Sequence, residues 1–243
     1  MNIIKVKDYE EMSQKACSLL LDVVENERKP VLGLATGSTP EGLYRNLIEK
    51  YEQHEVTFED TTTFNLDEYV GLAKDDPNSY RYFMNEKLFK HINIQDENTH
   101  VPSGVAEDPK QECKDYEQLI QEADRIDIQI LGLGLNGHIG FNEPGTSFSS
   151  RTHVVELDES TRNANARFFD SIDDVPTQAI TMGIETIMES KSIILLVSGA
   201  NKAEPLARLV HGEVSEDFPA SILQTHGNVT IIADEAARTK IDL

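Results

Sequence analysis

The chain has 243 residues, with 22 basic against 43 acidic side chains and a formal charge of −21 at pH 7. This length can bury one sizeable α/β core. The charge argues against nucleic-acid and anionic-membrane partners, both of which need basic patches to neutralise phosphates. An anionic substrate would be repelled at long range, so its site needs local donors and basic residues. Cys17 and Cys113 lie far apart in helical patterns and read as free thiols of a reducing compartment. The first residues do not read as a signal peptide, and no apolar run has membrane-span length, so a cytoplasmic, soluble protein is expected.

Taken in order, residues 9–26 form an amphipathic helix with Met12, Ala16, Leu19, Leu20 and Val23 on one face. Residues 31–35 make a short buried strand, followed by a helix from Pro40 to Tyr51. Residues 61–65 read as a strand, 79–89 as a helix and 109–122 as another helix. A strand spans 126–133 and a β-like stretch 152–157. Residues 161–169 read as helical, 192–198 as the most continuous apolar strand, 202–210 as a helix and 229–233 as the last strand. Apolar strands separated by helices predict a single open, mainly parallel sheet with helices on both faces, Rossmann-like in layout. No linker or repeat divides the chain, so one domain over 1–243 is expected.

The densest chemistry follows the strand at 126–133. Residues 134–144 read Gly-Leu-Asn-Gly-His-Ile-Gly-Phe-Asn-Glu-Pro and place Asn136, His138 and Glu143 in one glycine-rich loop. An imidazole and a carboxylate held at the carboxyl end of a strand suit proton transfer near neutral pH. The same stretch matches the G-x-G-x-x-G dinucleotide fingerprint at Gly132, Gly134 and Gly137. That fingerprint needs a helix opening at its third glycine, and Gly140, Pro144 and Gly145 remove it. No metal-ligand spacing is present, and no cofactor is expected.

The first buried strand ends in Ala-Thr-Gly-Ser-Thr-Pro. Backbone donors of Thr36, Gly37 and Ser38, with Ser38 or Thr39 capping the next helix, would hold an anion. Leu43 and Tyr44 stand where a P-loop needs Lys and Ser/Thr, which excludes that motif. Asp67, in Asn-Leu-Asp-Glu-Tyr, reaches a strand end too and makes a two-carboxylate acid/base site plausible beside Glu143. Arg167 and Lys202 could each pair with a phosphate, although taken alone either reads as readily as a surface charge.

The motifs at 33–40, 64–69, 136–144, 150–152 (Ser-Arg-Thr) and 165–169 (Asn-Ala-Arg-Phe-Phe) together resemble the glucosamine-6-phosphate deaminase family, in order from about Ile3 to Lys240. The resemblance implies a fold of the sugar-phosphate isomerase type. It implies cofactor-free conversion of glucosamine 6-phosphate to fructose 6-phosphate and ammonia. By the same resemblance, His138 opens the sugar ring supported by Glu143, and Asp67 moves a proton from C2 to C1. Thr36, Gly37, Ser38, Arg167 and Lys202 hold the phosphate, and residues around 160–177 form a lid. Some members carry aspartate where this chain has Asn136, which here can orient His138 but cannot compensate an imidazolium. Activated hexameric members carry basic residues where His153 and Val155 stand, so a non-allosteric enzyme is expected, monomeric rather than hexameric. The alternatives are a 6-phosphogluconolactonase-like hydrolase and a non-catalytic sugar-phosphate sensor.

Overall fold

The apolar runs become the strands of a seven-stranded parallel sheet in a computed structural model that describes residues 1–157, 159, 162–163, 166, 169 and 171–241. Its strands are β1 (Asn2–Lys5), β2 (Val31–Leu34), β3 (Thr62–Asn65), β5 (Thr99–His100), β6 (Ile128–Gly132), β9 (Ser192–Val197) and β10 (Val229–Ala233). Their spatial order is β1-β10-β9-β6-β2-β3-β5. All four residues of β2 are buried, as are the last five of β9. Such runs are stable only with both faces of the sheet covered. The covering helices are α1 (Tyr9–Asn26), α2 (Glu41–Glu52), α3 (Tyr80–Lys87), α4 (Pro109–Glu122), α5 (Ile184–Met188) and α6 (Ala203–His211). Right-handed crossovers put α1 and α2 on one face and α4 and α6 on the other.

The strand order fixes where a ligand belongs. From β2 the chain moves outward through β3 to β5, then returns to β6 on the other side of β2 and continues to β9 and β10. The reversal between β2 and β6 is a topological switch point, and the crevice outside the carboxyl ends of the strands opens there.

Beyond the short strand β5 and the helix α5, which the sequence reading leaves out, two features differ from it. The edge strand β1 pairs with β10 from Asn2↔Thr230 to Lys5↔Ala233; its half-exposed Asn-Ile-Ile-Lys carries too little pattern to be read alone. A second, three-stranded antiparallel sheet joins β4 (Asp67–Tyr69), β8 (Gln178–Thr181) and β7 (His153–Glu156). Leu66 carries the chain from one sheet to the other: its N–H donates to Leu34 O, and its carbonyl accepts from Met182 N. Arg167 and more than half of the helix expected over 161–169 fall outside the described residues, as do seven of the eighteen residues of the expected lid over 160–177. No helix among the described residues is long and apolar enough to cross a membrane.

Candidate active site

Four adjacent strands, β9, β6, β2 and β3, send their carboxyl-terminal connections to one edge of the sheet. These connections carry Lys202, the Asn136–Glu143 turn, Thr36–Ser38 and Asp67.

After β6 no helix opens at Gly137; the chain runs through turns to Thr152, so the dinucleotide fingerprint lacks its helix. Gly134 and His138 close the turn, with Gly134 N donating to His138 O at 3.0 Å. A Cβ on Gly134 would stand 2.4 Å from the His138 ring, so glycine is required for the imidazole to lie there. Asn136 Nδ2 donates to Glu143 Oε2 at 2.6 Å, which fixes the amide orientation. Asn136 Oδ1 then faces His138 Nδ1 at 2.7 Å and accepts its proton. Glu143 Oε2 lies 3.6 Å from the same ring nitrogen. In the neutral form of the ring this network leaves Nε2 as the unprotonated nitrogen, a base with its partner already oriented.

Asp67 opens β4 opposite Thr181. It is 7 % exposed, and no hydrogen bond reaches its carboxylate among the described residues. Burial, and then the neighbouring Glu68, push its pKa up to about 8. Its Oδ2 lies 3.7 Å from where a Cβ on Gly140 would stand, so the carboxylate meets the histidine turn. Glu68 points elsewhere. It accepts N–H groups from Tyr69, Tyr80 and Arg81 at 2.8–3.0 Å, tying β4 to the start of α3. Tyr69, Tyr80 and Phe141 pack beside this corner with ring centroids 4.8–6.2 Å apart.

At the end of β2, none of the Thr36, Gly37 and Ser38 N–H groups donates to another described residue. The expected side-chain cap is corrected. Residue Pro40 precedes α2 without a capping hydrogen bond, because the Tyr9 hydroxyl has taken that task. It accepts from Gly42 N at 2.8 Å and donates to Ser38 O at 2.8 Å. The buried Tyr44 hydroxyl donates to Ala35 O. Two tyrosines thus hold the loop from below and leave its amides outward. Sequence offered no signal for Tyr9, which acts across 29 and 33 residues. A cleft of about 350 Å³ beside the loop is lined by Tyr9, Ser38, Thr39, Glu41, Arg45 and Ser198.

Lys202 follows β9 through Gly199, whose φ is +98°. Its Nζ donates to Leu133 O at 2.6 Å, and burial lowers its pKa. Asp234 holds the turn before it, accepting from Ser198 Oγ at 2.6 Å and Gly199 N at 3.0 Å. Arg151 of the Ser-Arg-Thr motif is spent on structure, pairing with Glu189 at 2.6 Å and Glu185 at 3.2 Å. Arg167 lies outside the described residues.

Comparison with known proteins gives the family. A family model described as glucosamine-6-phosphate isomerases/6-phosphogluconolactonase matches residues 7–232. A curated glucosamine-6-phosphate deaminase from Oceanobacillus iheyensis is 62 % identical over 237 residues, covering 98 % of this chain and 95 % of the relative. Glucosamine-6-phosphate deaminase 1 of Bacillus subtilis strain 168 is 53 % identical, covering 98 % of each. A solved structure described as a monomeric glucosamine-6-phosphate deaminase superposes with a TM-score of 0.97 at 52 % identity, covering 99 % of this chain and 100 % of that one. The chain therefore belongs to the family of glucosamine-6-phosphate isomerases and 6-phosphogluconolactonases.

Proposed function

We propose that this protein converts glucosamine 6-phosphate and water to fructose 6-phosphate and ammonia. The observation that carries the assignment is the convergence of a buried, proton-holding carboxyl, Asp67, with an oriented imidazole, His138, at the switch point of the sheet. The full-length relatives at 53–62 % identity bear the deaminase name, which favours it over the lactonase branch. A sensor would have no use for this acid/base pair.

The phosphate is assigned to the free amides of Thr36, Gly37 and Ser38, with Lys202 and Arg167 supplying charge. His138 Nε2 takes the proton of the C1 hydroxyl and delivers it to the ring oxygen as the C1–O5 bond breaks. Glu143, through Asn136, steadies the imidazole as it gains charge. Asp67 then removes the C2 proton while the C2 ammonium passes one of its own protons to the C1 oxygen, and the electrons form a neutral C1–C2 enolamine. Returning the proton to C1 gives an iminium at C2. Water adds there, ammonia leaves and the ketone remains. Burial favours the neutral Asp67, and the substrate's C2 ammonium offsets this by favouring the carboxylate beside it. Each acid/base group of this kind contributes about 10²–10⁴-fold. Residues around 160–177 are assigned as the lid over the sugar, and the protein as a monomer with hyperbolic kinetics.

Incubation with glucosamine 6-phosphate should release ammonia and fructose 6-phosphate in equal amounts. Hydrolysis of 6-phosphogluconolactone without ammonia release from the amino sugar would assign the lactonase activity instead.

A further inference from the structure

The turn that carries Asn136, His138 and Glu143 is held from two sides. At the end of β8, Thr181 Oγ1 accepts from Phe141 N at 3.1 Å and Met182 O from Asn142 Nδ2 at 2.9 Å; opposite, it is gripped by the stretch of chain that begins at Lys202, passes through α6 and ends at Ala220. Lys202 Nζ bonds Leu133 O at 2.6 Å. Ala220 N donates to Gly137 O at 2.8 Å. Glu216 brackets the far side, its carbonyl accepting from Gly145 N at 2.8 Å and its carboxylate from Phe148 N at 2.8 Å. The centre of the grip is Phe218, 2 % exposed. A Cβ on Gly137 would lie 2.2 Å from its ring, and Gly137 holds a φ of +87° that favours glycine. Arg208, from the last turn of α6, lies over the same ring at 4.4 Å.

We propose that Phe218 is a positioning residue for His138, holding the Asn136–Gly137–His138 turn in the form that lets Asn136 accept the Nδ1 proton. The proposal rests on the reaction assigned above. Gly137 sits between the two hydrogen-bonded residues, so its peptide planes set the distance between Asn136 Oδ1 and His138 Nδ1. The ring presses on Gly137 at the one atom where no side chain intervenes, and the Ala220 hydrogen bond holds the adjoining carbonyl. Losing the flat ring frees the turn to rotate. The same stretch begins with Lys202, so a phosphate held there and the imidazole are fixed to one rigid piece of chain.

The test uses Phe218→Leu, which keeps apolar volume, alongside Phe218→Ala. Nitrogen-15 NMR of the imidazoles, with His138 assigned by its loss in His138→Gln, reads the tautomer without any substrate. Wild type should show His138 protonated at Nδ1 alone, and both variants a mixture of tautomers. Their kcat for ammonia release should fall roughly 10- to 100-fold with KM nearly unchanged. A folded Phe218→Leu with the wild-type tautomer and kcat would overturn the proposal, as it would reduce Phe218 to core packing. A wild type that yields no ammonia would count against the reaction, and the NMR comparison would still decide the role of Phe218.

Discussion

Asp67 is a carboxyl that the fold keeps protonated, and this has a thermodynamic signature. Its folded pKa of about 8 lies above the ordinary aspartate value of 3.8, so the folded state binds more protons than the unfolded one between those values. Stability attributable to this group is highest below about pH 4 and falls as pH rises towards 8. Asp67→Asn should therefore stabilise the protein by roughly a few kcal/mol at pH 8 and by little at pH 4. Denaturant unfolding at both pH values checks this; an equal effect at each would remove burial as the cause. Asn136→Ala withdraws the acceptor from His138 Nδ1 and should lower kcat roughly 10- to 100-fold with KM little changed. Tyr9→Phe leaves Gly42 N and Ser38 O unpaired. Steady-state kinetics should show KM for the sugar phosphate rising about fivefold, the worth of roughly 1 kcal/mol, with kcat preserved.

The elements that sequence discloses are those whose burial is continuous. Residues 193–197 are apolar throughout and 229–233 are apolar at every position but Thr230, and they become β9 and β10. The period of α1 is legible too, although its buried face turns to Cys17 and Val24 and leaves Leu19 and Val23 half-exposed. The second sheet is harder to see. Strand β4 is Asp-Glu-Tyr, and its pairing with β8 depends on a partner more than a hundred residues away. The catalytic candidates were legible because their loops gather glycine, imidazole and carboxylate in a few residues. Their supports, Tyr9, Asp234 and Phe218, were not, because each acts across a long separation and resembles ordinary core or cap. Glu117 is a support of the same kind. From α4 it accepts Thr152 N at 2.8 Å, Thr152 Oγ1 at 2.5 Å and Thr186 Oγ1 at 2.6 Å, joining the two sheets' surroundings. Glu117→Ala should cost roughly 2–4 kcal/mol by stranding those donors, measured as a drop in denaturation midpoint.

Across the whole molecule, strand order brings together residues that the sequence scatters from 36 to 202. Reversal between β2 and β6 seats the Thr36–Ser38 loop beside the histidine turn, and β3 and β9 bring Asp67 and Lys202 to either side. A chain with a formal charge of −21 can then hold an anionic sugar only through outward amides and a few placed cations. In the proposed reaction Asp67 moves the C2 proton while a separate loop holds the phosphate. The most direct measurement is ammonia release from glucosamine 6-phosphate by wild type and Asp67→Asn, with binding of the sugar phosphate measured in parallel. Ammonia from wild type alone, with binding retained in Asp67→Asn, is the predicted result. Comparable ammonia release from both would remove Asp67 from the proton transfer.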